Sequence, residues 1–180
     1  MEKKLIIFTD SGDTIIDEST EIRNKDGIVT HAELIPGAGE TLKALYDAGY
    51  TIALVADGEE QSFANVYEEN GLLYCFRTRT ISEVVGIQKP SRRMFQDAMD
   101  KNHLTEKDKK RVVMIGNNIR KDIAGANRFG ITSILLDWSP RYDMTPADDW
   151  EKADYIVHEP KELLALIDHL EEQLSKDWIE

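Results

Sequence analysis

The sequence has one cysteine and no long apolar run. Because Cys75 is the only cysteine among 180 residues, an intrachain disulfide and a thiolate metal cluster are both excluded. No apolar stretch reaches the roughly eighteen residues that a membrane-spanning helix requires, so the sequence predicts no membrane span. The first residues, Met1 to Lys4, precede a short strand without the apolar region of a signal peptide, which favours a cytoplasmic protein.

Basic residues are also in the minority. The chain carries 22 Lys and Arg against 34 Asp and Glu, which gives a formal net charge of −12. Such a surface repels nucleic-acid backbones and anionic membranes, so we expect neither as a partner. A small substrate or a protein partner fits the charge better, and an anionic substrate would need a local cation, most simply a divalent metal. Trp178 could be an exposed end or a dimer contact, so homo-oligomerisation stays open.

Apolar runs alternate with helical patterns along the whole chain. The runs that predict strands are Leu5–Thr9, Thr51–Ala56, Arg111–Ile115, Thr132–Leu136 and Tyr155–His158, with a weaker one near Phe76–Ile81. The patterns that predict helices are Pro36–Gly49, Glu59–Asn70, Ser91–Lys101, Arg120–Phe129 and Glu159–Ser175. This alternation indicates βαβ units and a parallel sheet. We therefore expect residues 1–180 to form one α/β domain, a three-layer α/β/α sandwich around a Rossmann-like parallel sheet.

One segment, about residues 15–35, breaks the alternation. It is too polar and too irregular for a core helix. A short turn with a glycine, residues 24–27, separates the runs 21–23 and 28–30, which predicts a β-hairpin. Since the hairpin directly follows the first strand, we expect it to form a flap over the C-terminal edge of the sheet.

Polar residues occur at four points that a parallel sheet would bring to one edge. Asp10 follows the first strand, and Asp57 with Gly58 follows the second. Lys89 precedes a helix, and the loop from Gly116 to Asp122 follows the next strong strand. Carboxyl ends of parallel strands open onto one crevice, so the four loops can surround a single site. A carboxylate at the position of Asp10 is usually a nucleophile or a metal ligand.

This ordered set of motifs resembles the haloacid dehalogenase-like (HAD) hydrolase superfamily over nearly the whole chain. The matching motifs are Asp10 with Gly12-Asp13-Thr14-Ile15, the helix opening Pro36-Gly37-Ala38-Gly39, Lys89-Pro90 with Met94-Phe95, and Gly116 with Asp122 and Gly125-Ala126. The resemblance implies a Mg²⁺-dependent phosphatase. The two usual insertion points for a cap domain have little room here, so we expect a β-hairpin flap and no cap. An open site of this kind suits a large substrate, such as a phosphoprotein or a polymer end, or a neighbouring subunit that serves as the lid. The expected substrate is a phosphorylated small molecule or a phosphoprotein.

The resemblance also implies roles for individual residues. Asp10 would be the nucleophile and form an aspartyl-phosphate, and Lys89 would hold Asp10 and the phosphoryl oxygens. Mg²⁺, which prefers oxygen ligands, would be bound by Asp10 and the Gly12 carbonyl. Asp122 would join them directly or through water, and Asn117 can offer a neutral oxygen.

Three positions depart from the superfamily pattern. Gly12 stands where phosphatases commonly have a second aspartate as general acid and base, whose help is worth about 10²–10⁴ in rate. Ala56 replaces a Ser or Thr that binds the phosphoryl group, so the substrate would meet the backbone N–H groups of Asp57 and Gly58. Asn117 replaces an Asp, which should weaken metal binding. A catalytically degenerate member that binds a ligand or a protein therefore stays an alternative.

Several residues have two interpretations. Asp13 is a displaced acid or a turn residue that accepts from local backbone N–H groups. His31 is a proton-transfer group over the site or an exposed hairpin residue. Asp57 faces the site or caps the next helix, and Lys121 binds substrate phosphate or is solvated at a helix start. A dehalogenase or a phosphonate hydrolase also lacks the second aspartate, but both usually need a cap.

Overall fold

A six-stranded parallel sheet forms the centre of the computed structural model, which describes residues 3–177. The strands are β1 (Ile6–Thr9), β2 (Ile22–Arg23), β3 (Val29–His31), β4 (Thr51–Ala56), β5 (Thr78–Ile81), β6 (Val112–Gly116), β7 (Thr132–Leu136) and β8 (Tyr155–Val157). The sheet order is β5-β4-β1-β6-β7-β8. The predicted parallel sheet is confirmed, with β1 at its centre between β4 and β6. Trp178 lies outside the described residues.

Helices cover both faces of this sheet. They are α1 (Ala38–Asp47), α2 (Glu60–Glu69), α3 (Ser82–Val85), α4 (Arg92–Lys101), α5 (Ala124–Phe129) and α6 (Glu162–Asp177). The short α3 was not predicted, because four residues are too few for a periodic pattern. The predicted helix Arg120–Phe129 divides into a π-helical turn, Ile119–Ile123, and α5. None of the described helices is both long and apolar enough to cross a membrane.

Alternate residues of β1 belong to two separate cores. Ile7 packs into the cluster that contains Leu42 of α1 and Ile167 of α6. Phe8 points to the other face and packs into the cluster that contains Phe95 of α4 and Phe129 of α5. Successive side chains of a strand face opposite sides of a sheet, so this division is what makes the domain three-layered.

The hairpin of β2 and β3 forms where the sequence predicts it. Ile22 pairs with His31 in antiparallel register. The hairpin is attached to α2, since the Val29 N–H donates to Ser62 Oγ at 3.0 Å and Asn65 Nδ2 donates to the Val29 carbonyl at 2.9 Å. The flap is therefore fixed to the helix that follows β4, on the side of the sheet where Asp10 emerges.

The start of β1 is capped by a residue far along the chain. The Glu171 carboxylate of α6 accepts the backbone N–H of Leu5 at 2.8 Å and that of Lys4 at 3.0 Å. Glu171 is buried. A buried backbone donor without a partner is costly, so this contact fixes both the strand and the helix.

Replacing Glu171 with Ala should lower the free energy of unfolding by about 1–3 kcal/mol, because the N–H groups of Lys4 and Leu5 lose their acceptor. Urea unfolding measures the loss. Glu172→Ala, at the neighbouring exposed position of α6, is the matched control and should change stability by no more than about 0.5 kcal/mol. Equal losses in the two variants would contradict the capping role.

Candidate active site

The Lys89 side chain lies between two carboxylates at the C-terminal edge of the sheet. Its Nζ donates to Asp10 Oδ1 at 2.9 Å, to Asp122 Oδ1 at 2.7 Å and to the Val55 carbonyl at 2.8 Å. Only 2% of the Lys89 side chain is exposed. All three donor protons of the ammonium are therefore used, and strand β4 and the segments that follow β1 and β6 meet at one nitrogen.

Asp122 is positioned by the π-helical turn. Its Oδ2 accepts the backbone N–H groups of Asn117 and Asn118, both at 3.1 Å. A Cβ on Gly116 would lie 2.3 Å from the Asp122 carboxyl carbon, so only glycine allows the carboxylate to pack against the end of β6. π-Helical turns are rare and frequent at functional sites.

The two carboxylates carry more negative charge than the single ammonium between them can balance. Burial and the neighbouring Asp122 raise the pKa of Asp10 to about 7, although Lys89 acts in the lowering direction. Burial alone would lower the pKa of Lys89, but the carboxylates of Asp10, Asp122 and Asp57 raise it above its ordinary value. The ammonium thus stays charged, and the cluster favours one more cation beside Asp10.

The Asn117 side chain provides a test of whether a metal fits here. One amide atom of Asn117 lies 3.1 Å from Asp10 Oδ2 and 3.2 Å from the Gly12 carbonyl oxygen. If that atom is nitrogen, it donates to both; if it is oxygen, three oxygens converge, which suits a hard cation. Residues 3–177 contain no group of three His, Cys, Asp or Glu arranged for a metal. A cation here would thus use neutral oxygens beside the carboxylates, and the donor set fits Mg²⁺.

A pocket of about 250 Å³ opens above Asp10. Its lining includes nearly all the residues that the sequence singles out: Asp10, Gly12, Asp57, Gly58, Lys89, Asn117 and Asp122. The structure does not bring Ala56 into this pocket. Ala56 is fully buried and its side chain packs in the core, whereas Asp57 and Gly58, predicted with it as substrate-binding residues, line the pocket.

Asp57 does not cap the next helix. Its Oδ1 accepts the backbone N–H of Lys89 at 3.0 Å, and its Oδ2 accepts from Lys121 Nζ at 3.0 Å. The N-terminal residue of α2 is preceded by Glu59, whose side chain makes no capping hydrogen bond. The Gly58 N–H donates to Ser82 Oγ at 2.9 Å, so the donor expected there for a substrate is already engaged.

Lys121 is a cation at the rim of the pocket. Its Nζ also donates to Gln88 Oε1 at 3.2 Å, and 39% of its side chain is exposed. Lys121 lines the pocket together with Asn118, whose Oδ1 accepts its backbone N–H. An exposed ammonium at the pocket rim, beside the loop after β6, can contact an anionic ligand.

Asp13 and His31 lie elsewhere in the structure. Asp13 is fully buried, has a left-handed φ of 50° and accepts the Glu18 N–H at 3.0 Å while pairing with Arg141. The interpretation as a turn residue therefore holds for Asp13. His31 Nδ1 lies 2.6 Å from Glu69 Oε1 on α2, and His31 is not among the residues that line the pocket.

Glu18 and Tyr142 line the pocket without a signal in the sequence. Glu18 lies in the irregular segment after β1, and its carboxylate is 3.4 Å from Arg141 Nε. Burial and the nearby Asp13 raise the pKa of Glu18 above its ordinary value, while Arg141 acts in the lowering direction. Both residues reach the pocket from segments without periodicity, which sequence patterns do not place in space.

A second pocket of about 200 Å³ continues from the first under the hairpin. The two share Gly12 and Glu18, and the second extends to Arg23 of the hairpin and Phe63 of α2. The space beside Asp10 is thus longer than one phosphate and could hold the remainder of a small substrate.

Comparisons with known proteins agree with this geometry. A family model described as haloacid dehalogenase-like hydrolase matches residues 6–136. The chain is 28% identical to the glyceraldehyde 3-phosphate phosphatase of Methanopyrus kandleri over 142 residues, which are 79% of this chain and 58% of that protein. It is 30% identical to the ribulose-1,5-bisphosphate 5-phosphatase of Halopiger xanaduensis over 138 residues, which are 74% of this chain and 56% of that protein.

The chain spans a little over half the length of these curated relatives. Among solved structures, that of the HAD hydrolase YfnB from Bacillus subtilis, bound to magnesium, aligns with a TM-score of 0.65 at 21% identity and covers 75% of this chain and 56% of that one. At this identity the likeness shows the fold alone.

Replacing Lys89 with Met should reduce the free energy of unfolding by about 3–5 kcal/mol, because Asp10 and Asp122 would remain buried without their shared counter-ion. Lys121→Met removes a half-exposed ammonium from the same pocket and should lose no more than about 1 kcal/mol. Urea unfolding of the two variants gives the comparison. A Lys89→Met protein as stable as Lys121→Met would contradict the view that this ammonium holds the loops together.

Proposed function

Because the chain belongs to the haloacid dehalogenase-like hydrolase family, we propose that it is a phosphoric monoester hydrolase that acts through an aspartyl-phosphate on Asp10. The observation that carries the proposal is the sharing of the buried Lys89 ammonium by Asp10 and Asp122 at the base of an open pocket. The relatives named as phosphatases support the same reaction class.

The chemistry follows from the positions of these groups. The Asp10 carboxylate attacks the phosphorus, and the bond from phosphorus to the leaving-group oxygen breaks. Water then attacks the aspartyl-phosphate, which releases inorganic phosphate and restores the carboxylate. Lys89 fixes the orientation of Asp10 and offsets negative charge, and Lys121 contacts phosphoryl oxygens from the rim. Phosphoryl transfer needs positioning and charge neutralisation above all, and both are features of this pocket.

Magnesium is the proposed cofactor. Asp10 Oδ2, the Gly12 carbonyl and the Asn117 amide oxygen would hold it. Both Asp122 oxygens already accept hydrogen bonds, which favours contact through water for that residue. When bound, Mg²⁺ would neutralise charge on the phosphoryl oxygens.

The pocket size supports a phosphorylated small molecule as substrate. The phosphate would lie above Asp10, and the remainder of the molecule would extend under the hairpin towards Arg23. The relatives are named for small sugar phosphates and related metabolites. A phosphoprotein remains the second substrate class, since the pocket is open to the surface. We also propose that residues 1–180 form a single domain without a cap.

A catalytically degenerate binding protein is the competing interpretation, and two observations favour it. The Gly58 N–H is already engaged by Ser82, and Gly12 carries no side chain. Against it, two carboxylates and a lysine are buried together at the base of the pocket, an arrangement that simple ligand binding does not require. Turnover decides between the two functions.

Replacing Asp10 with Asn should abolish turnover, because the amide is a far weaker nucleophile than the carboxylate. The wild type, the variant and Asp26→Asn, a matched change at the exposed hairpin turn, are assayed with Mg²⁺ against a panel of small phosphate monoesters and phosphopeptides. Release of inorganic phosphate is measured. Undiminished turnover in Asp10→Asn contradicts the mechanism, and no turnover by the wild type favours the binding protein.

Mg²⁺ affinity should fall when the Asn117 side chain is removed. Calorimetric titration of Asn117→Ala with Mg²⁺ is expected to show at least about tenfold weaker binding than the wild type, a typical loss when a group that supports a metal site is deleted. Gln173→Ala, an exposed amide side chain on α6, is the control and should bind as the wild type does. Equal affinities in the two variants would remove Asn117 from the metal site.

A further inference from the structure

The reaction proposed above leaves two proton transfers without a partner. An alkoxide that leaves phosphorus needs a proton, and the water that attacks the aspartyl-phosphate must lose one. Gly12, the nearest position beyond Asp10 that faces the pocket, has no side chain to do either. Another group in the pocket must therefore exchange protons with the leaving group and with water, or both steps proceed without help.

Most ionisable side chains of the pocket are already committed. Asp122 is bound to Lys89 and to two backbone N–H groups. Asp57 is bound to the Lys89 backbone and to Lys121. Apart from the nucleophile Asp10, Glu18 is the carboxylate of the pocket lining that remains to exchange protons. Within the described residues, the one ion pair of the Glu18 side chain is with Arg141 Nε at 3.4 Å, and 31% of the Glu18 side chain is exposed.

The Glu18 carboxylate occupies the space that a side chain at position 12 would fill. A Cβ built on Gly12 would lie 1.9 Å from Glu18 Oε1 and 2.6 Å from its carboxyl carbon. Gly12 therefore has to be glycine for Glu18 to take this place. The arrangement places a carboxylate beside position 12, which is two residues after Asp10, from a residue six positions further along the chain.

The backbone around Glu18 holds it in position. The Glu18 N–H donates to Asp13 Oδ1 at 3.0 Å. Asp17 caps the short 3₁₀ helix Glu18–Thr20 through Ser19 N at 3.0 Å. Arg141 pairs with both Asp13 and Glu18. Arg141 is thus a positioning residue, and the carboxylate keeps one face towards both pockets.

We propose that Glu18 is the catalytic acid and base of this hydrolase, in the place of the side chain that Gly12 lacks. In the first step the bond from phosphorus to the leaving oxygen breaks, and the protonated Glu18 carboxyl gives its proton to that oxygen. In the second step the Glu18 carboxylate takes a proton from water as the water oxygen bonds to phosphorus and the bond to Asp10 breaks. The proton returns to Glu18, so the cycle balances. This inference rests on the proposed phosphatase function.

Glu18→Gln tests the role by the chemistry of the leaving group. p-Nitrophenolate is a stable anion near neutrality and leaves without a proton, whereas an alkoxide needs a proton from a general acid. In the variant we expect one rapid equivalent of p-nitrophenol per enzyme, followed by turnover about 10²–10⁴ slower than in the wild type. An alkyl phosphate should give no such burst, since its first step is slowed as well. Glu33→Gln, an exposed glutamate after the hairpin, should behave as the wild type.

A double variant tests the position itself. Glu18→Ala with Gly12→Asp places a shorter carboxylate on the position 12 backbone, whose φ is not left-handed and whose side-chain space is then empty. It should recover at least about tenfold of the turnover lost in Glu18→Ala alone. No recovery would overturn the assignment, because a carboxylate in this space would then not matter.

The outcomes separate the two proposals. If wild type turns over phosphate esters, Asp10→Asn does not, and Glu18→Gln retains full turnover of an alkyl phosphate, the phosphatase function stands and the role of Glu18 is wrong. If Tyr142→Phe shows the burst and Glu18→Gln does not, the acid is Tyr142 and the role of Glu18 is again wrong. If the wild type turns over nothing, both proposals fail.

Discussion

The structure of this site depends on one buried ammonium. Lys89 binds Asp10, Asp122 and the Val55 carbonyl through its three donors, so it connects strand β4 with the segments that follow its neighbours β1 and β6. Two carboxylates next to one ammonium leave an excess of negative charge in a poorly solvated place. The Asn117 amide lies beside both Asp10 Oδ2 and the Gly12 carbonyl oxygen. This excess of negative charge favours a cation beside Asp10.

The sequence predicted what periodicity and chain order determine. Strand runs and helical patterns predicted the parallel sheet, and the four polar loops were expected at one edge because parallel strands point the same way. The central place of β1 is what the family resemblance implies, and the sheet order agrees with it. Glu18 and Arg141 were not placed, since their positions depend on an irregular segment after β1 and a loop after β7. The role of Asp57 was open, because a residue that follows a strand and precedes a helix can cap the helix or face the crevice.

Glycine at position 12 has two meanings, depending on whether it is seen in the sequence or in space. In the sequence it is the loss of an acidic side chain, which suggests an impaired enzyme. In the structure the vacated volume is filled by the Glu18 carboxylate. Gly12 and Glu18 are six residues apart in a segment without helical or strand periodicity, so no local sequence pattern predicts that they meet.

The central place of β1 has a consequence for the order of events during synthesis. The strand that precedes Asp10 is made well before its neighbour β6, which begins at Val112, roughly a hundred residues later. At about 5–20 residues per second, a ribosome needs on the order of 5–20 s to supply that partner. During this interval an apolar strand destined for the middle of the sheet has no second edge to pair with. Newly made chains are thus at their most vulnerable to association before β6 emerges.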